Sequence, residues 1–265
     1  MSSAKPFALI TGASKGIGRS LSTNLASKGF PVLLVARDEK LLHDLAAQLK
    51  ADYKIESFYF PIDLSKPGSA KKVKDWVVQN NYTTGIMINN AGYAVWGRFT
   101  NISIDDHLQM MQLNVNTIVE MCHEFIPLLL KQEKSYLMNV SSTTAYQAVA
   151  TLSTYAASKM FVIGFTRSLR TEFLKSSLSV SVLSPGTTTS DFMNRAAMDP
   201  LKEISEKFTM DPDEVAKIAI NGMFAGKAEI IPGFLNKFSA VMTRLVPKKL
   251  TENIAANIYL KNLPE

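Results

Sequence analysis

Tyr155 and Lys159 stand in the run Ser153-Thr154-Tyr155-Ala156-Ala157-Ser158-Lys159. At this spacing on a helix, a phenol and an ammonium share one face. The positive charge favours the phenolate, and a tyrosine tuned in this way can give or take a proton. Free tyrosine titrates near ~10, so work at neutral pH needs a shift of roughly 3 units, about 4 kcal/mol of differential stabilisation. A lysine at a partly desolvated position supplies much of that, and a cationic cofactor ring can supply the rest. The same pair also arises by chance on exposed helices, so its meaning depends on its surroundings.

Thr11-Gly12-Ala13-Ser14-Lys15-Gly16-Ile17-Gly18 follows an apolar run and opens a helical pattern. Glycines there permit a tight turn and close approach of a pyrophosphate. The helix N-terminus then offers free N–H groups and positive potential to the anion. The second apolar run ends Val35-Ala36-Arg37, where NAD-binding chains usually place an acid on the ribose 2′-hydroxyl. Arg37 and Lys15, with Ser14, can instead surround a 2′-phosphate, because a guanidinium grips phosphate as a fork. This composition predicts NADPH/NADP in preference to NAD. Asp63 and Leu64 close the third strand and can cap the adenine. Asn89, Asn90, Ala91 and Gly92 close the fourth, where small residues let the chain pass near the cofactor. Asn89 and Asn90 serve equally well as cofactor contacts or as ties between strands.

These motifs sit in an alternating pattern. Strands are expected at Phe7 to Thr11, Val32 to Ala36, Ile55 to Pro61, Ile86 to Asn89, Tyr136 to Val140, Val180 to Leu183 and Glu229 to Ile231. Most are continuous apolar runs, as strands covered on both faces require. Helices are expected at Gly18 to Lys28, Glu39 to Lys50, Gly68 to Asn80, Ile104 to Lys131, Thr154 to Lys175 and Pro212 to Phe224. Alternation of this kind predicts an α/β fold: one domain over residues 1–265, with a parallel sheet and right-handed crossovers. Two stretches break the rhythm. Residues 187–208 are long and of mixed polarity on the ligand-binding side of the sheet, and read as a lid. Phe234 to Leu260 reads as an amphipathic tail broken at Pro247. It packs against the protein's own core, covers the cleft or meets a partner chain, with a peripheral membrane contact as a further alternative.

Composition narrows the remaining classes. The chain has 265 residues, 46% of them hydrophobic, a net charge of +6 and one cysteine, Cys122. No intrachain disulfide can form, Cys122 reads as inert packing, and the scattered histidines have no metal-ligand spacing. The basic excess is spread along helices, without a nucleic-acid-binding motif or a basic-aromatic stripe. No run reaches the ~18 apolar residues of a membrane span, and no signal-peptide pattern leads the chain, so a cytoplasmic location is expected.

Together the glycine motif, Asn89 to Gly92, Asn114, Ser142, Tyr155, Lys159 and Pro185-Gly186 resemble the short-chain dehydrogenase/reductase family in order and spacing, over roughly the first 195 residues. The resemblance implies a single-domain, Rossmann-like, doubly wound parallel sheet of seven strands and a nicotinamide cofactor. It assigns Tyr155 as acid/base, Lys159 to lowering its pKa and binding the nicotinamide ribose, and Ser142, rather than Ser141, to the substrate oxygen. Asn114 would hold a water that links Lys159 to solvent. Pro185, Gly186, Thr188 and Ser190 fall in the segment that holds the nicotinamide carboxamide, Thr188 through its backbone. The glycine spacing fits the short type rather than the extended one. By analogy the chain forms a homodimer or homotetramer through its two long helices.

The implied activity is hydride transfer between NADP(H) and a carbonyl or secondary-alcohol substrate. Tyr155 donates the proton as charge develops on an oxygen that Ser142 stabilises. A catalytically silent nucleotide-binding scaffold or sensor is the alternative of another class, since fold does not dictate function. Tyr93, Val95, Trp96, Val149, Met193 and Met198 read either as walls of an apolar substrate site or as core and lid packing.

Overall fold

The computed structural model describes residues 5–189, 200 and 209–263. Its strands are β1 (Phe7–Thr11), β2 (Val32–Ala36), β3 (Ser57–Pro61), β4 (Thr84–Asn89), β5 (Ser135–Val140), β6 (Leu178–Leu183) and β7 (Glu229–Ile230). They pair in parallel as one seven-stranded sheet, in the order β3-β2-β1-β4-β5-β6-β7. The order reverses between β1 and β4, which opens a crevice at their carboxyl ends.

Both faces of the sheet are covered, and the pleat shows it. Ala8, Ile10, Val32 and Leu34 point into one buried layer, while Leu9, Leu33 and Val35 point into the other. Helices α1 (Gly16–Ser27) and α2 (Glu39–Tyr53) supply Leu21, Leu25, Leu42 and Leu49 to the first layer. On the opposite side, α3 (Ser69–Gln79) supplies Val73 and Val77 to the second. This two-sided burial is why the strands read as unbroken apolar runs rather than alternating ones.

The long helix expected from Ile104 to Lys131 is divided. It forms α4 (Ile104–Met111) and α5 (Thr117–Leu129), joined by a π-helical turn over Gln112–Asn116. Competing side-chain bonds hold the wider turn. Asn114 Nδ2 donates to Tyr93 O at 2.9 Å, and Thr117 Oγ1 donates to Gln112 O at 2.9 Å and Leu64 O at 2.7 Å. π-Turns of this kind gather at functional sites. Helix α6 (Ser153–Glu172) then carries Tyr155 and Lys159, and α7 (Pro212–Phe224) adds Ala216, Ile220 and Met223 to the first layer. The tail is helical on both sides of Pro247, as α8 (Phe234–Leu245) and α9 (Lys248–Lys261). Most of the lid expected at 187–208, with Ser190, Met193 and Met198, lies outside the described residues.

A buried polar chain fixes the sheet to α6. Asn89 Nδ2 donates to Asn139 Oδ1 at 2.8 Å, and Asn139 Nδ2 donates to Thr166 Oγ1 at 2.9 Å. Asn89 is thus a tie between strands. Cys122 lies beside this chain, where burial pushes its thiol up to about 12 and leaves it inert. Asn139→Ala takes the acceptor at 2.8 Å from the buried Asn89 amide, so we expect a loss of about 2 kcal/mol in urea unfolding, against near-neutrality for an exposed control.

Candidate active site

The carboxyl ends of the strands open into a cavity of about 1060 Å³. Its walls bring together the residues singled out for cofactor binding: Gly12 and the following loop from Ser14 to Gly18, Arg37, Asp63 and Leu64, Asn90 to Gly92, and Pro185, Gly186 and Thr188. Ser142, Tyr155 and Lys159 lie on the same wall surface. Two exceptions remain. Ser190 is outside the described residues, and Asn114 is fully buried behind the wall.

The glycine loop is shaped for a close-lying anion. Gly12 and Gly16 take φ values of +65° and +51°, the left-handed region that glycine enters without cost. At Gly18 a Cβ would stand 2.2 Å from Gly12 O, so only hydrogen fits. Asn90 locks the loop from below: its Nδ2 donates to Thr11 O at 2.9 Å and to Gly12 O at 3.3 Å. The α1 N-terminus opens into the cavity with lysine at its N-cap, which has no acceptor to cap with, and no acid in its first turn. Its orphan N–H groups and positive end are therefore presented to a ligand, and a dinucleotide pyrophosphate fits them.

At the end of β2, Asp38 lines the cavity and also has a structural task. Asp38 is the N-cap of α2 and accepts from Leu41 N at 3.0 Å. Arg37 lines the cavity beside it. Burial tends to raise the Asp63 carboxyl, but bonds from the Ser65 hydroxyl and amide, with the charges of Arg37 and Lys66, outweigh it and hold the group below its ordinary value. Asp63 thus stays anionic near Arg37.

At the other end, Lys159 Nζ donates to Val140 O at 3.0 Å and stands 5.8 Å from the Tyr155 ring centre. A Cβ on Gly92 would lie 3.0 Å from Asn114 Oδ1 and 3.3 Å from Lys159 Nζ, so the absence of a side chain there brings the chain, the amide and the ammonium together. Asn114 spends its side chain on structure: Nδ2 bonds Tyr93 O and Ser158 Oγ, and Oδ1 accepts from Tyr93 N. The two serines also separate. Both line the cavity, but Ser141 donates to Lys159 O at 2.8 Å and ties β5 to α6, whereas the Ser142 hydroxyl bonds Tyr155.

The expected depression of the Tyr155 pKa does not arise from the protein's own groups. Burial pushes the phenol up to about 12, against a weaker lowering by Ser142, and burial drives Lys159 down to about 8. The reason is symmetric: each group loses water, and the ammonium's partner is a carbonyl rather than a carboxylate.

Sequence reading missed part of the wall. Leu235, Asn236, Ser239, Ile258 and Tyr259 line the cavity from the tail helices α8 and α9. Tyr259 lies close enough to Tyr155 to raise its pKa further and is itself raised by burial. Pro247 and the apolar spacing of the tail announced the helices, but no local pattern announced what they would face. Conversely, Tyr93, Val95, Trp96 and Val149 belong to a small core that packs against Tyr155, and none of them lines the cavity. The apolar wall is made by Ala94, Leu152, Leu235 and Ile258.

The profile described as short chain dehydrogenase matches residues 6–201, and the chain belongs to that family. It is similar to 7beta-hydroxysteroid dehydrogenase of Mediterraneibacter gnavus, with 27% identity over 232 residues that cover 87% of each chain. It is 28% identical over 234 residues to hydroxysteroid dehydrogenase-like protein 1 of Gallus gallus, across 86% of this chain and 68% of that one. Among solved structures, a short-chain dehydrogenase from Sphingobium yanoikuyae in complex with NADPH matches with a TM-score of 0.81 and 26% identity, over 91% of this chain and 93% of that one. The chain is accordingly an NAD(P)-binding oxidoreductase that acts on hydroxyl or carbonyl groups.

The Lys159 shift has a signed consequence. Its folded pKa of about 8 lies below the ordinary 10.5, so the unfolded chain binds its proton more tightly between those values. The lysine therefore destabilises the cofactor-free fold fully below the lower value, and the penalty fades as pH rises toward the upper one. Urea unfolding should show wild type gaining stability relative to Lys159→Met between neutral pH and about pH 10. A constant difference across that window would contradict the burial argument.

Proposed function

We propose that the chain transfers hydride between NADP(H) and an apolar carbonyl or secondary-alcohol substrate, with Tyr155 as acid/base, on one domain that spans the chain. The observation that carries this reading is the joint placement of Tyr155, Ser142 and Lys159 on the wall of a cavity that also holds the glycine loop and the α1 N-terminus. The nicotinamide cofactor, when bound, supplies or accepts the hydride. Gly12 to Gly18 hold its pyrophosphate, Asp63 and Leu64 flank its adenine, and Pro185 to Thr188 frame its nicotinamide end. Ser142 donates a hydrogen bond to the substrate oxygen and Tyr155 exchanges the proton there. Lys159 orients the ribose beside the phenol. Asn114 acts from behind as a positioning residue: its side chain holds the Tyr93 backbone and Ser158 Oγ, next to Gly92 and Lys159.

The NADP preference is supported by Arg37, Lys15 and Ser14 on the cavity wall, where Asp38 also lies but spends Oδ1 on the cap of α2. The apolar wall beside Tyr155, and relatives named as hydroxysteroid dehydrogenases, support a bulky apolar alcohol or ketone as substrate.

Tyr155→Phe is expected to lower kcat by about a thousandfold on any accepted carbonyl while NADPH affinity stays within about threefold. Near-normal turnover in that variant removes the phenol from the chemistry. In fluorescence titrations, Arg37→Ala should weaken NADPH at least about tenfold and leave NADH nearly unchanged. Tighter NADH than NADPH binding by the wild type would overturn the cofactor assignment.

A further inference from the structure

The tail helices pack in an inverted sense. Among the described residues the buried ones on them are small, Ala240 on α8 and Ala255 on α9; Tyr259 packs inward, while most of the other large apolar side chains face out. Phe234, Phe238, Val241 and Leu245 fall within one narrow sector of α8 by helical position, and are 81%, 55%, 44% and 74% exposed. The Phe234 and Phe238 rings stack at 6.5 Å, which makes a continuous apolar ridge. On α9, Leu250 and Ile254 repeat the pattern at 53% and 54% exposure. A soluble surface helix ordinarily turns such a stripe inward, and an outward one marks a docking face.

Charge identifies what the face fits. Residues 234–261 carry Lys237, Arg244, Lys248, Lys249 and Lys261 against Glu252 alone, a net +4 of the chain's +6. Lys237, Lys248, Lys249 and Lys261 are exposed. A second copy of the chain would bring the same positive charge to the same face, whereas an anionic lipid surface takes both the ridge and the lysines. Among the described residues no helix is long and apolar enough to cross a membrane, so the contact would lie in the interface plane. Leu235 and Ile258, partly exposed on these helices, also line the cavity, so the face is continuous with the pocket mouth.

We propose that α8 and α9 dock the protein on an anionic lipid bilayer through this ridge, with the cavity mouth at the membrane surface. The binding claim does not rest on the reaction proposed above, because it is read without turnover. The full chain is sedimented with vesicles of equimolar phosphatidylcholine and phosphatidylglycerol, and with vesicles of phosphatidylcholine alone. Binding to the anionic vesicles is expected, weaker in high salt, and at least about tenfold weaker on neutral ones. Phe238→Glu with Leu245→Glu should lower anionic-vesicle binding at least about tenfold, with unchanged thermal midpoint and NADPH affinity. Lys248→Glu with Lys249→Glu should lower it as well, through charge alone. Failure of the wild type to bind anionic vesicles overturns the proposal, as does binding by both double variants as tight as that of the wild type. So does a fall in oligomeric mass in the first variant with vesicle binding intact, which would make the ridge a contact between copies.

Discussion

The site is governed by desolvation. Tyr155 and Lys159 are both buried, and each is pushed toward its neutral form, the phenol to about 12 and the ammonium down to about 8. The fold tolerates this because the polar ends are spoken for: Val140 O takes the ammonium, and Ser142 bonds the phenol. A dry setting also makes any charge brought to it count for more than it would in water. The protein's own groups therefore keep the phenol neutral and make the lysine easier to deprotonate than it is in water. Part of the electrostatic work of the proposed reaction falls to what binds beside them.

Topology decides where that dry pocket lies. Reversal of strand order between β1 and β4 separates the loops that follow them and leaves the crevice open. The loops do not splay, because Asn90 and Thr11 stitch them together: Thr11 Oγ1 accepts from the amides of Asn90 and Ala91 at 3.0 Å. The buried Asn89, Asn139 and Thr166 chain then fixes β4 and β5 against α6, the helix that bears the pair. Each of these polar groups is satisfied by another, so the framework costs little in unmet hydrogen bonds.

Much of this was legible in the sequence, and the misses share a cause. Continuous apolar runs revealed buried parallel strands, and the glycine loop revealed its turn, because both signals are local. Asp38 and Ser141 show the limit of local reading. Each is a polar residue beside a suspected site, and only the structure shows the first capping α2 and the second fastening α6. Tyr93, Val95, Trp96 and Val149 were open to two readings, and long-range packing decides for the core. The walls from α8 and α9 come from far along the chain, and periodicity names a face without naming its neighbour. The π-turn at Asn114 was hidden because one extra residue hardly disturbs an apolar pattern.

Gly186 is the point where the tail meets the strand ends. A Cβ there would lie 2.5 Å from Asn236 of α8, so the tail sits directly on the backbone as the chain leaves β6. Asn236 is anchored in turn by its Nδ2 bond to Pro232 O at 2.9 Å. With no side chain at Gly186, the Asn236 amide comes up close to the backbone there. Any larger residue at position 186 would therefore press on the Asn236 side chain, and so on a part of the cavity wall that α8 supplies.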